Sequence, residues 1–364
     1  MNIEIVSFTG DSGLSDYSVS LARALAYSET VTMVTAKSLP ARFDTFGFSV
    51  ERVFRRTRHY PLDIFRFFSG VLHRKPDWVL LQGPLKFVLI DAIVIRMLRI
   101  FGVRMCVTVH DVLPHYPKAW SKAEYGFYYR SFNRVVVHSK AALTGVRALG
   151  VKTNILVVPH GIYDIFNITG INQKEARNII GQINQNDFVV LFFGHLEPRK
   201  GLLEFLDAAK AMKDHHDIKF ILAGGNSLAN HAPTYAKHLE AARTMPNVLI
   251  HDSRIPFENV ENYFAASDVV ALPYLEGTTS GVLKLALAFG KPVVATRVGD
   301  FPEQVPDGAG LIIENNSNIA LELCKAICTI KNSNYLFSTA MINAGQDSQW
   351  PDIATRLVSH LQSN

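Results

Sequence analysis

Short apolar runs rich in β-branched and aromatic residues alternate with longer amphipathic segments along the whole chain, a pattern that predicts parallel sheets covered by helices. In the first half the runs predict strands at 3–8, 30–35, 78–82, 105–110, 135–138 and 155–158, with helices near 14–27, 62–74, 86–101, 121–132 and 139–149. A polar stretch at 167–187, rich in Asn, Gln and Gly, interrupts the alternation. It restarts with Phe188-Val189-Val190-Leu191-Phe192-Phe193, which reads as a strand buried on both faces. Further strands are predicted at 218–223, 247–251, 269–273, 292–297 and 310–313, and helices near 201–212, 233–244, 257–267, 280–290 and 316–330. The expected fold class is α/β: two doubly wound, Rossmann-like domains at 1–165 and 166–345, then an isolated amphipathic helix within 346–364. Ligands on such sheets bind at the carboxyl ends of strands, so the site is expected in the post-strand loops, between the two halves.

Composition narrows the class. The 364 residues are 48% hydrophobic and 19% charged, too apolar for disorder and too long for one ordinary core. The most apolar stretch, 87–101, is broken by Asp91, Arg96 and Arg99 and falls short of the roughly 20 apolar residues of a spanning helix. No basic leader or cleavage site precedes the first strand, so a cytoplasmic location is expected. The three cysteines, Cys106, Cys324 and Cys328, read as buried thiols in a reducing compartment.

The net charge of +5 is unevenly shared: residues 1–165 hold 21 Lys/Arg against 12 Asp/Glu, and residues 166–364 hold 16 against 20. The basic half interleaves Arg52, Arg55, Arg58, Arg66 and Arg74 with Phe54, Tyr60, Phe65 and Phe67. That mixture suits a solvated basic face or an anionic membrane surface, and nucleic acid far less.

Four loops carry candidate chemistry. The first, Thr9-Gly10-Asp11-Ser12-Gly13-Leu14-Ser15-Asp16-Tyr17, opens a helix; it reads as a close approach to an anion or as a plain tight turn, and lacks dinucleotide-fingerprint spacing. His110-Asp111 ends a strand, where the imidazole either exchanges protons with substrate or serves structure. Gly194-His195-Leu196-Glu197-Pro198-Arg199-Lys200-Gly201 offers three cationic side chains before a helix, without P-loop spacing. Glu276-Gly277-Thr278-Thr279-Ser280-Gly281 leads into a helix that is apolar on nearly every side. Its first N–H groups are satisfied either by a diphosphate or by Thr279 or Ser280 as N-cap.

Glu197 to Gly201, Glu276 through Pro302-Glu303, and Val158-Pro159-His160-Gly161-Ile162 occur in the order found in the GT-B retaining glycosyltransferases of family 4, which the chain resembles over essentially its whole length. The resemblance implies an acceptor-binding first domain, a nucleotide-sugar-binding second domain and a final helix crossing back to the first. It places Gly13, His195, Arg199, Ile255, Thr279, Ser280 and Gly281 at the donor, His110, Lys200 and Glu276 at the reacting centre, and Asp16, Tyr17 and Asp111 at the acceptor. It implies a nucleoside diphosphate sugar donor, a glycan or lipid-linked saccharide acceptor, no metal and no nucleic acid. Membrane association is then expected to be peripheral, on the inner face. Two departures stand out: His195 replaces the family's usual Arg, and the second Glu, eight residues after the first, is absent, with Lys284 at that count and Leu285 beside it. The alternatives are a GT-B epimerase or phosphorylase and a subunit that binds without turnover.

Overall fold

The computed structural model describes residues 1–364 except 56, 115–116, 226–231, 278–279 and 364, and the side chains of 232–234. It divides into two units, Met1–Gly161 with Ser348–Asn364, and Ile162–Asp347. The division thus falls a few residues before the expected 165, and the return to the first unit begins at 348 rather than 346.

The first unit runs β1 (Asn2–Val6), α1 (Gly13–Leu25), β2 (Thr30–Ala36), β3 (Ser49–Phe54), α2 (Tyr60–Arg74), β4 (Trp78–Gln82), α3 (Val88–Ile100), β5 (Met105–Val109), α4 (Ser121–Tyr129), β6 (Arg134–Val137), α5 (Lys140–Ala148) and β7 (Asn154–Val157). The second runs α6 (Gln173–Ile180), β8 (Phe188–Phe193), α7 (Leu202–Ala211), β9 (Ile218–Ala223), α8 (Ala232–Arg243), β10 (Val248–His251), α9 (Val260–Ala266), β11 (Val269–Leu272), α10 (Gly281–Ala288), β12 (Val293–Thr296), α11 (Phe301–Gln304), β13 (Gly310–Ile313), α12 (Ile319–Asn332) and α13 (Asn334–Gln346); α14 (Trp350–Gln362) belongs to the first. Among the described residues the strand orders are β3-β2-β1-β4-β5-β6-β7 and β10-β9-β8-β11-β12-β13, and every pairing is parallel. These are two Rossmann-like sheets, each reversing direction beside its first strand, where ligand loops gather.

The inner strands are apolar because helices cover both faces: every residue of β4 and β5 is buried. Four elements were absent from the sequence-based assignment, one of them the single-turn α11. β3 is an edge strand whose Ser49 and Glu51 face solvent, so its alternation is weak and a register shift against β2 breaks it further. α6 lies in the polar stretch: Asn172 caps it by accepting from the Glu175 N–H, and only Ala176 and Arg177 are buried. Arg177 is buried because its guanidinium pairs with Asp268 at 2.7 Å and donates to the Ala266 carbonyl. α13 has little amphipathic contrast, with Met341 and Gly345 its buried positions.

α14 packs along α1. Its Trp350, 2% exposed, meets the Tyr17 ring edge-on at 5.1 Å, and a β-carbon at Gly161 would lie 2.4 Å from the indole. Glycine is required there because the indole occupies the space of any side chain. Trp350→Ala should therefore cost about 3–5 kcal/mol of first-unit stability, the range for emptying a buried aromatic site. Urea unfolding measures it, and a loss under about 1 kcal/mol would mean that α14 is only loosely held.

Among the described residues, no helix is long and apolar enough to cross a membrane.

Candidate active site

In the first unit the post-strand loops bring together more than the sequence reading named. Ser12 caps α1 by accepting from the Ser15 N–H, which leaves Gly13 exposed as the first helical residue and Asp16 partly exposed in the first turn. Tyr17 points the other way. Its ring is 2% exposed and sits among His110 at 4.6 Å, His160 at 4.8 Å and His138 at 5.3 Å. Tyr17, assigned to the acceptor on the resemblance, is an inward position on this helix, and burial raises its phenol well above the ordinary range.

His110, partly buried at the end of β5, approaches the Gln82 side-chain oxygen at 3.4 Å. Burial, and secondarily the His138 imidazole 5.3 Å away, hold it well below its ordinary pKa, so it is neutral at pH 7. Such a ring exchanges hydrogen bonds with a hydroxyl without bringing a charge. Asp111 follows, partly buried, and its carbonyl accepts from the Tyr129 hydroxyl at 3.0 Å. His138 and His160 were not given roles from sequence. Both follow strands, β6 and β7, as His110 follows β5, and that shared position is the signal that could have found them.

In the second unit the loops after β8, β9, β10 and β11 converge at the carboxyl end of the sheet. Gly201 has φ +72°, and a β-carbon there would lie 1.8 Å from the Pro273 carbonyl oxygen; a β-carbon on Gly224 (φ +155°) would lie 1.7 Å from the Gly194 carbonyl. These glycines let neighbouring loops pack backbone to backbone. The Arg199 carbonyl accepts from the Leu275 N–H at 2.7 Å and the Glu276 N–H at 3.3 Å, so the loop 197–201 is stitched to the loop carrying Glu276.

That stitching sorts the cations. The Arg199 guanidinium pairs with Glu197 at 2.7 Å, so its charge is largely spent within its own loop. Lys200 is different: its ammonium lies 3.2 Å from where a Gly194 β-carbon would stand and 5.7 Å from the Tyr274 ring centroid. No carboxylate among the described residues pairs with it. His195 is exposed, and its Nδ1 lies 3.6 Å from where a β-carbon on Gly225 would stand. Ile255 is partly exposed in the loop after β10.

Ser280 is the N-cap of α10, accepting from the Leu283 N–H at 3.4 Å and sharing a 3.2 Å hydrogen bond with the Tyr274 hydroxyl. The Gly281 and Val282 N–H groups meet no acceptor among the described residues, and Gly281 is exposed. Capping and anion binding are thus compatible: the serine takes the third N–H and leaves two at the tip. Glu276 is exposed and makes no ion pair among the described residues. Thr279, the remaining donor candidate, lies outside the described residues.

Lys284, one turn into α10, is 5% exposed. Desolvation, partly offset by Asp300, pulls its amine from 10.5 down to about 8. No side-chain hydrogen bond or ion pair among the described residues engages the amine; the Lys284 carbonyl accepts from the Tyr163 N–H at 3.4 Å. Among the described residues no group of three or more His, Cys, Asp or Glu could hold a metal ion.

Two Rossmann-like units, one with a capped but still open helix N-terminus beside a lysine, have the architecture of a GT-B transferase. Solved structures share it: HepE from Anabaena, in complex with UDP and glucose, is 20% identical with a TM-score of 0.78 over 100% of both chains. Sucrose-phosphate synthase from Thermosynechococcus elongatus is 20% identical with a TM-score of 0.76, covering 98% of this chain and 97% of that one. At that identity the likeness is one of fold. A family model described as glycosyl transferase 4-like domain matches residues 12–161, and one described as glycosyl transferases group 1 matches 187–332. The chain belongs to the group 1 glycosyl transferases. It is similar to D-inositol 3-phosphate glycosyltransferase of Corynebacterium glutamicum (strain R), 35% identical over 134 residues, 35% of this chain and 32% of that protein. The enzyme of the same name from Corynebacterium aurimucosum is 29% identical over 213 residues, 56% of this chain and 50% of that protein. The matches thus span 32% to 50% of these relatives.

Proposed function

We propose that this glycosyltransferase moves a sugar, with retention at the anomeric carbon, from a nucleoside diphosphate sugar to a hydroxyl of a glycan or lipid-linked saccharide held at a membrane surface, in polysaccharide or glycolipid assembly. The observation that carries the reading is the Lys200 ammonium, which pairs with no carboxylate among the described residues, in the same loop cluster as the Gly281 and Val282 N–H groups, which meet no acceptor among them. Together they form a receptor for the charge that grows on a departing diphosphate, and they supply what a divalent cation supplies elsewhere. Glu276 accepts hydrogen bonds from the sugar's hydroxyls, and His110, neutral, is the polar group that the first unit offers to the sugar. Gly13 and Ile255 contribute close backbone, Ile255 toward the base. No covalent nucleophile is assigned; acceptor attack on the departing group's own face accounts for retention. The UDP and glucose named with HepE support a uridine donor, and the name of the curated relatives supports a phosphorylated acceptor.

A second reading, a subunit that binds nucleotide sugar without turnover, is favoured by one observation: a buried amine, Lys284, stands where the resemblance expects a carboxylate. Thermal shift against UDP, GDP, ADP, dTDP and CMP separates the readings from failure of both. One diphosphate is expected to raise Tm selectively, with about 2.7 kcal/mol of stabilisation at a hundredfold excess over Kd. No shift from any nucleotide would remove the donor assignment, and a shift without turnover of any matching sugar would favour the second reading.

A further inference from the structure

We propose that α3, with the adjoining part of α2, is a docking surface for an anionic lipid bilayer. The inference deepens the membrane-held acceptor proposed above and rests on it for its purpose, but its evidence is separate.

α3 is apolar on two sides. Val88, Ala92, Ile95 and Leu98 form its buried stripe against the sheet. Leu89, Ile93, Met97 and Ile100, spaced by four, four and three residues, form a second stripe that lies in solvent; Ile93 is 54% exposed and Ile100 83%. Phe65 on α2, 68% exposed, extends the patch, as does Phe101, 62% exposed, whose ring meets Phe68 of α2 at 6.0 Å. Isolated exposed apolar residues are ordinary, but a continuous stripe three turns long marks a surface that something covers.

The charge around it names the occupant. Between residues 57 and 104 there are eight Lys/Arg and three carboxylates. Two of the carboxylates, Asp63 and Asp91, are fully buried, and the third, Asp77, faces Arg104 at 3.7 Å. At the C-terminal end of α3 an open cavity of about 410 Å³ is lined by Arg96, Arg99 and Arg104 together with Ile100, Val103 and Asn133. Neutral groups hold two of these guanidiniums: Arg96 lies 3.8 Å over the Phe127 ring and donates to the Ser131 hydroxyl, and Arg99 donates to the Ser131 carbonyl. Their charge is fixed in place, with no carboxylate among the described residues paired to it, which suits a phosphate-bearing headgroup beside side chains that enter the acyl boundary. A second copy fits poorly, because a two-fold interface would set this basic surface against itself.

The test is co-sedimentation of the full chain with vesicles, without nucleotide or acceptor. Wild type is expected to pellet with mixed phosphatidylcholine–phosphatidylglycerol vesicles at low salt, to release at high salt, and to ignore phosphatidylcholine alone. Arg96→Gln with Arg99→Gln should weaken binding by about fivefold per charge removed. Ile93→Glu with Ile100→Glu, at positions already in water, should abolish it while leaving Tm and the nucleotide-induced shift unchanged. Binding that is indifferent to both pairs, or no binding by wild type, overturns the proposal. So does a dimer in the absence of vesicles that Ile93→Glu with Ile100→Glu converts to monomer, which would make the stripe a self-interface. Because the nucleotide shift is read on the same variants, loss of vesicle binding and loss of the donor reading are separate results.

Discussion

Lys200→Ala should lower kcat by about 100- to 1,000-fold, the usual cost of removing one preorganised group that stabilises transition-state charge. The loss belongs in kcat because charge on the bridging diphosphate oxygen grows only as the glycosidic bond breaks. Stability should be nearly untouched, within about 0.5 kcal/mol, since the ammonium is partly exposed and pairs with no carboxylate among the described residues. Arg199→Ala gives the contrast: its guanidinium is tied to Glu197, so its removal should cost turnover much less. Steady-state kinetics with the donor identified by thermal shift measure both. Near-wild-type turnover in Lys200→Ala would falsify the assignment of the leaving-group clamp.

Lys284→Met should make the protein more stable at pH 7. The amine is 5% exposed, and burial pulls it from 10.5 down to about 8. Below pH 8 the native state carries a charge that the unfolded chain solvates better, so the protonated lysine opposes folding. Between about pH 8 and 10.5 the native amine is neutral while the unfolded one still binds its proton, so wild-type stability rises with pH through that window. A shift of this size corresponds to about 3 kcal/mol, and the methionine variant should recover it at pH 7 and lose the Lys284 share of the rise. In a domain of this size that is a gain of several degrees in Tm. Lys291, also lowered to about 8, remains in both proteins and donates to the Ala265 and Ser267 carbonyls, so it cancels in the difference. Equal pH profiles for the two proteins would show that the Lys284 amine reaches water or an anion. If nucleotide binding were also lost in the variant, the amine would be a donor contact.

The alternation of β-rich runs with amphipathic segments determined two parallel α/β units, because strands buried on both faces must be apolar throughout and their crossover helices must carry one apolar side. It also singled out candidate loops: glycine, cation and hydroxyl clusters directly after strands are legible as local strings, and Lys200, Glu276 and Ser280 were proposed on that ground. β3 and α6 were not legible, since an edge strand and a helix burying two residues leave almost no hydrophobic period. Only the tertiary structure decided how charge is spent. Arg199 and Lys200 are neighbours in sequence, yet one is neutralised by Glu197 and the other meets no carboxylate among the described residues, which depends on side-chain directions that spacing does not encode. It turned Tyr17 inward among His110, His138 and His160, joining loops more than 140 residues apart. It also buried Lys284 and left the second stripe of α3 in water: a hydrophobic residue in the sequence states a preference for leaving water, and packing settles whether the rest of this chain satisfies it.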